Sequence, residues 1–537
     1  MVAENQPTRV TILDSTLRDG AQGEGISFSI QDKISIVRAL DTLGIDFIEA
    51  GNPGSNPKDL EFFREASRLI LGKAKLAAFG STRRVGVSAS DDEGLRSLLG
   101  VGTETVVLFG KSWDFHVKTV LKASQSENLA MITESCAFAA ADGRRVIYDA
   151  EHFFDGYAAN PEYAMRSLAA AVEGGASCIV LCDTNGGCLP ERVSELTAAA
   201  AREFSPGVGL GVHAHNDGGL GVANSLAAVR AGARHIQGCL AGFGERCGNA
   251  NLSTIIADLR LKMGIDCLAP DSLSLLSQTT RCVAEIANLT FDESTPFIGR
   301  HAFAHKAGMH IDAVTKDPRS FEHVDPEAVG NKRRFLASEV GGRSVILDRV
   351  RRIDSAATKD SPLVAEVLSR LKEMERLGYQ FEGADASLEL LMRKAAGKYK
   401  PFFHLGKYRT IGEQPTDDAT RCAQAVVKIE VEGVEELSVA EGNGPVHALD
   451  RALRKALERF YPNLAGMHLS DYKVRVLDSE HAAAAVVRVF IESTDAEDTW
   501  TTVGVSTDII EASWIALIDS IEFKLIKDLE KRYKAFL

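Results

Sequence analysis

Residues 209–221 read GLGVHAHNDGGLG, and the way this stretch ends decides the fold. An apolar run closes on His213 and His215, two positions apart. In a β-strand, residues i and i+2 point to the same side, so both imidazoles aim at one point. Asp19, preceded by Arg18, follows a second apolar run, RVTILD. Two histidines and one carboxylate make a ligand set for a divalent cation that leaves positions open for substrate oxygens. The same histidines could line a barrel mouth without metal. The placement of Asp19 and the histidine pair at equivalent strand ends favours the metal.

Working outward, the pattern recurs. Candidate strands are RVTILD, DFIEAG, KLAAFG, TVVLFG, RVIYDA, CIVLCDT, GLGVHAH and HIQGC, separated by amphipathic stretches such as DKISIVRALDTLG and PERVSELTAAAAREF. Strands alternating with helices mean βαβ units and a parallel sheet. An open doubly wound sheet competes with a closed (β/α)8 TIM barrel. Asp19, Glu49, Glu151, Asp183, Thr184, His213 and His215 all fall at or just past C-terminal strand ends, and only a closed barrel gathers those ends at one mouth. The expected architecture is α/β: a barrel over 1–265, helical linker subdomains over 266–420 and an α+β domain over 421–537.

Within the linker, HAFAHKAGMHID and GNKRRF are polar or basic clusters, and residues 400–420, KPFFHLGKYRTIGEQPTDDAT, read as a turn-rich hinge. Beyond it, AQAVVKIEVEG and YKVRVLDSEHAAAAVVRVFIES read as antiparallel strands. Helices follow EGNGPV and VGVSTD, giving an internal repeat on a scale of about 60 residues. Gly442, Gly444 and Gly504 mark these helix starts, where an amino-acid carboxylate would find unpaired N–H groups.

Composition excludes several classes. Among 537 residues, 61 Lys and Arg stand against 74 Asp and Glu, a net charge of -13. That argues against a nucleic-acid or acidic-membrane surface. No apolar run is long enough to span a bilayer, and MVAENQPTRV lacks the pattern of a signal peptide. The nine cysteines contain no C-x-x-C pair and read as reduced thiols of a cytoplasmic protein.

LRDGAQGEG, DTNGG, HAHNDGGLG, GFGERCGNANL, AHKAGMHID and GNGPV occur in this order. Together they resemble the alpha-isopropylmalate synthase and homocitrate synthase family, and LRDGAQGEGISFS and YDAEHFFDGY look most like its citramalate synthase branch. The resemblance covers essentially the whole chain. It implies a transferase that condenses acetyl-CoA with a 2-oxo acid, pyruvate in this branch, on the route to isoleucine. Asp19, His213 and His215 match the family's metal ligands, with Asn249 near the metal. The ion would be Mn, Mg or Zn. Arg18 matches the residue facing the keto oxygen, and Thr184 the hydroxyl that holds the oxo-acid carboxylate. Thr184 can also be read as a helix N-cap. Glu49 and Glu151 match acids near the substrate, with a barrel-top salt bridge as their structural alternative.

His310 matches the catalytic histidine that the family presents from its linker, often to a partner subunit of a homodimer. His301 and His305 lie close by. The isopropylmalate enzymes assist this histidine with a tyrosine, whereas this chain has Arg333, Arg334 and Phe335 in that neighbourhood. The C-terminal domain resembles the family's amino-acid sensor, which implies isoleucine as inhibitor. Other 2-oxo acids and a hydroxyacyl-CoA lyase activity on the same barrel are the competing functions. The long linker and sensor favour the synthase, and the complete Asp19, His213 and His215 set argues against a catalytically dead sensor.

Overall fold

Eight parallel strands close into a barrel: β1 (Thr11–Asp14), β2 (Phe47–Glu49), β3 (Lys75–Ser81), β4 (Thr105–Lys111), β5 (Arg145–Glu151), β6 (Cys178–Asp183), β7 (Gly209–Ala214) and β8 (His235–Gly238). Closure is made by β8 against β1, with Ile12 opposite Ile236 and Asp14 opposite Gly238. All eight coincide with the apolar runs read from the sequence. The computed structural model describes residues 9–289, 292–336, 342–358, 360–413, 422–477, 485–495 and 498–536.

The barrel is filled, not hollow. Leu13, Val107, Ile147 and Val180 are fully buried in its interior. Each such side chain contributes roughly 1.5–3 kcal/mol by leaving water. The opposite face of each strand packs on the surrounding helices. The helix Ile30–Leu43 shows how these are specified. Ser29 and Asp32 form a reciprocal capping box at its start, and Ile34, Val37 and Leu40 are buried along one face. Gly44 ends it in a left-handed conformation, φ 88°.

The chain divides into two compact units, Met1–Phe303 with His323–Arg333, and Ala304–Glu322 with Arg334–Leu537. The expected linker is thus shared between them. In the second unit, β9 (Ala304–His305) pairs in parallel with β10 (Arg334–Phe335). The helices Pro362–Arg376 and Asp385–Ala395 enclose a core that includes Val367, Leu371, Phe381 and Leu388. Two antiparallel sheets follow: β11 (His404–Glu413), β12 (Cys422–Val431) and β13 (Val434–Gly442), then β14 (His468–Val476), β15 (Val487–Thr494) and β16 (Thr499–Ser506).

The hinge expected over 400–420 is corrected by β11, which pairs with β12 along its length. Gly406, within that stretch, sits where the register shifts between Leu405 and Lys407, the usual place of glycine in a bulged strand. Residues 414–421 of that hinge, and 478–484 of the expected strand region, lie outside the described residues.

The repeat is more regular than the sequence suggested. A shift of 64 residues carries Tyr408↔Val427 onto Tyr472↔Ile491 and Ala425↔Ala440 onto Val489↔Gly504. It also carries the Leu405/Lys407 irregularity onto Leu469/Asp471. The helices Pro445–Leu457 and Ile509–Phe536 pack on the two sheets. Gly442 and Gly504 serve this packing: a Cβ would lie 2.4 Å from the Ala448 nitrogen at the first and 2.0 Å from the Ala512 oxygen at the second. Gly444 differs, with extended backbone, φ -170°, and no atom within 4 Å of a Cβ.

Candidate active site

The C-terminal strand ends enclose a cavity of about 270 Å³ lined by Arg18, Asp19, Thr184, His213 and His215 among others. β7 delivers His213, and His215 follows two positions later; both are buried. Asp19 comes from the turn after β1. A ligand atom from each of the three lies within 4.8 Å of the others, and His213 Nε2 is 3.8 Å from Asp19 Oδ2.

The donor chemistry fits a divalent cation. Burial opposes ionisation of Asp19, but Arg18, His213, His215 and a hydrogen bond from Asn249 outweigh it and hold the carboxyl below its usual range. Burial, reinforced by His213, pushes His215 down to about 4, so its imidazole is neutral at pH 7, as a ligand must be. Two buried atoms among these residues have no hydrogen-bond partner, His215 Nδ1 and Asn249 Oδ1. Asn249 Nδ2 donates to Asp19 Oδ1 at 2.9 Å, and its backbone bridges His215. Asn249 is packed tightly, since a Cβ on Gly244 would lie 2.3 Å from its Nδ2.

Behind the Asp19, His213 and His215 cluster lies a chain that the sequence reading missed. Gln237 Nε2 donates to Asp149 Oδ1 at 2.9 Å, and Gln237 Oε1 lies 2.9 Å from His213 Nδ1. A carbonyl oxygen accepts only, so His213 carries its proton on Nδ1 and turns the Nε2 lone pair toward Asp19. Burial, then the charge of Glu49, pushes Asp149 well above the usual carboxylate range. The available signal was a polar residue at an inward position of an otherwise apolar strand, Gln237 in HIQG and Asp149 in RVIYDAE.

Arg18 is held from three sides. Its Nε donates to Glu49 at 2.7 Å, its Nη1 to Asp19 at 2.7 Å, and its guanidinium lies 3.8 Å above the Phe79 ring. Phe79 stacks in turn on Phe109, 5.0 Å away, which makes an apolar wall that the sequence reading did not single out. Glu49 is fully buried and also accepts from Ser15 Oγ. Glu151 lines the cavity and pairs with Lys111.

Thr184 lines the cavity and does not cap the following helix, Pro190–Phe204, whose N-cap position is Leu189. Its Oγ1 accepts from the His152 backbone N–H at 2.9 Å. Arg246 grips Asp217 through two hydrogen bonds, at 2.8 and 3.0 Å, and donates to the Thr184 carbonyl at 2.7 Å. Asn216 Oδ1 accepts from the Gly221 N–H at the start of the next helix.

His310 belongs to the second unit, on the helix Gly308–Lys316, exposed and stacked on Phe321 at 4.1 Å. His301 is also exposed, whereas His305 contacts Glu322 at 3.1 Å.

Comparison with known proteins sets this geometry in a family. Residues 9–279 match the HMGL-like family, 297–378 the homocitrate synthase post-HMGL domain-like family, and 382–525 the LeuA allosteric (dimerisation) domain. The chain is 50% identical to an (R)-citramalate synthase of Synechocystis over 530 residues, 96% of each chain. It belongs to the HMGL-like family, in its (R)-citramalate synthase group. Its similarity to the Aquifex aeolicus (R)-citramalate synthase is 49% over 523 residues, 97% of this chain and 99% of that one. Among solved structures, a Bacillus subtilis HMG-CoA lyase is 22% identical with a TM-score of 0.46, covering 53% of this chain and 96% of its own. Past its barrel the chain continues into the residues that match the post-HMGL and LeuA domains.

Proposed function

We infer that the protein condenses acetyl-CoA with pyruvate to give (R)-citramalate and free CoA. The observation that carries this reading is the Asp19, His213 and His215 cluster in one cavity with Arg18 and Thr184. The near-full-length similarity to (R)-citramalate synthases supports the choice of substrate.

The cluster, with Asn249 beside it, would hold Mn, Mg or Zn, which supplies Lewis-acid polarisation of the keto oxygen. Arg18 adds a fixed positive charge where negative charge grows on that oxygen. Glu49 acts through Arg18 as its buried anchor, the salt-bridge alternative of its sequence reading. Thr184 donates to the pyruvate carboxylate. A base removes a proton from the acetyl methyl, whose carbon bonds to C2 of pyruvate. The keto oxygen becomes the tertiary hydroxyl, and water then cleaves the thioester. His310, supplied by a second copy of the chain, is our choice of base, with the Glu151–Lys111 pair at the cavity steering protons.

The C-terminal sheets are assigned to dimerisation and to inhibition by isoleucine, supported by the match to the LeuA allosteric (dimerisation) domain. Gly444, with open space at its helix start, is the favoured contact for the effector carboxylate. No described helix is long and apolar enough to cross a membrane. The free thiols among the described cysteines accord with the cytoplasmic location we assign.

The test is release of CoA from acetyl-CoA, followed with a thiol reagent, in parallel with pyruvate, 2-oxoisovalerate and 2-oxoglutarate. Pyruvate should give the highest kcat/KM. Preference for 2-oxoisovalerate would move the chain to isopropylmalate synthesis. Cleavage of a hydroxyacyl-CoA without any condensation would make it a lyase.

A further inference from the structure

The residue that ends the motif YDAEH makes a connection the reaction does not obviously require. β5 finishes at Glu151, and His152 then takes φ 56° and ψ 34°, the left-handed region. An L-residue other than glycine is strained there unless its surroundings hold it. Here they do. His152 Nδ1 lies 3.2 Å from Asp155 Oδ2, and its ring meets the His116 ring edge-on at 4.4 Å. Asp155 Oδ2 also accepts from Asn185 Nδ2 at 3.1 Å, which ties this turn to the residue after Thr184. The product of the strained turn is one hydrogen bond, from the His152 N–H to Thr184 Oγ1 at 2.9 Å.

That bond fixes what Thr184 can do. A threonine hydroxyl has one proton and two acceptor lone pairs. A backbone N–H can only donate, so it takes a lone pair and never receives the hydroxyl proton. The proton is left for another acceptor, and Thr184 lines the cavity. A water or a second hydroxyl in the place of His152 N could reverse its role and let Thr184 turn away. The backbone amide cannot.

We propose that His152 is a positioning residue: its ring holds the left-handed turn whose N–H dedicates the Thr184 hydroxyl to donating to the substrate carboxylate. This rests on Thr184 binding the 2-oxo acid as inferred above. His152 is specificity-determining in the same sense, because a hydroxyl committed to donation favours an anionic acceptor over a neutral amide or ester in that place.

The experiment is steady-state kinetics for a series at His152, run with whichever 2-oxo acid the wild type accepts. Wild-type turnover of pyruvate reports on the proposed function; the ranking of variants reports on His152. Asparagine and glycine tolerate the left-handed conformation, alanine less so, and branched valine least. KM for the oxo acid should therefore rise least in His152→Asn and His152→Gly, more in His152→Ala, and about tenfold in His152→Val, with kcat changing less than KM. In a Thr184→Ala background, His152→Val should add less than about twofold, because its effect runs through a hydroxyl that is gone. Circular dichroism on each variant identifies any that fail to fold, and the ranking is then read from the others, with the asparagine and glycine variants as the least demanding. Equal losses in all four, or a His152→Val effect that is fully additive with Thr184→Ala, would overturn the proposal. A loss confined to kcat with a displaced pH profile would make the imidazole itself the working group, which also overturns it.

Discussion

Arg18 and Glu49 form a buried ion pair whose guanidinium is shared with a second carboxylate, Asp19: Nε to Glu49 at 2.7 Å, Nη1 to Asp19 at 2.7 Å. The pair orients a fixed guanidinium at the place where the proposed reaction develops negative charge. Arg18→Lys keeps a charge but loses the fork, so kcat should fall by roughly 10²–10³ while KM for pyruvate moves less. Glu49→Ala leaves the arginine without its anchor and should cost about 3–5 kcal/mol of stability, read by chemical denaturation. Wild-type kcat in Arg18→Lys would remove Arg18 from the reaction.

The Asp19, His213 and His215 cluster gives a prediction with a direct readout. His215→Ala should bind little Mn²⁺ by calorimetry and should retain the wild-type circular dichroism spectrum. Gln237→Leu leaves Asp19, His213 and His215 in place but frees the His213 ring, and should weaken Mn²⁺ binding by about 10–100-fold. Full metal occupancy in His215→Ala would refute the ligand assignment.

Stability should also depend on pH through Glu522 in the helix Ile509–Phe536. Burial raises its pKa to about 7, and its Oε2 has no hydrogen-bond partner. As pH rises from about 4.5, the unfolded chain gives up this proton first and the folded chain keeps it until about 7. The folded state therefore binds more protons across that window, and stability falls as pH rises through it, by at most about 3 kcal/mol. Thermal melts of Glu522→Gln should lack this slope, and the variant should melt above the wild type at pH 8.

The three glycines of the C-terminal domain should separate into two kinds. Gly504→Ala forces a methyl group against the Ala512 carbonyl and should lower stability by about 1–3 kcal/mol. Gly444→Asp has open space and should leave the melt unchanged while weakening isoleucine inhibition. If calorimetry finds no isoleucine binding to the wild type, the effector assignment is lost and the domain is left with dimerisation alone.

Much of this was legible from the sequence because parallel barrel strands are buried on both faces and read as continuous apolar runs. Several of these runs end at or just before a polar residue at the mouth, so His213, His215 and Asp19 pointed to both the strands and the candidate site. The misreadings have physical causes. Gln237 and Asp149 sit at positions that pattern alone assigns to the core. Gly406 belongs to a strand irregularity, where turn chemistry and strand chemistry use the same residue. Gly442 and Gly504, expected as effector-site glycines, each also let a helix approach a sheet, which pattern alone does not show. His152 gave no signal, because backbone conformation at a single non-glycine residue leaves no pattern to read.

The 64-residue repeat gives the folding chain a choice. With one register in both halves, the strands of the first sheet find an equally spaced set of partners in the second, and in the corresponding half of another chain. Alignment of backbone hydrogen bonds does not discriminate among these pairings, so side chains must. Tyr408 stacks on Trp514 at 4.9 Å, whereas Tyr472 meets Ser513 through its hydroxyl at 2.8 Å. Such unlike contacts at like positions distinguish one half from the other. Where they are weakened, strand exchange between neighbouring molecules becomes the natural failure, and its signature is entangled oligomers formed on refolding at high protein concentration.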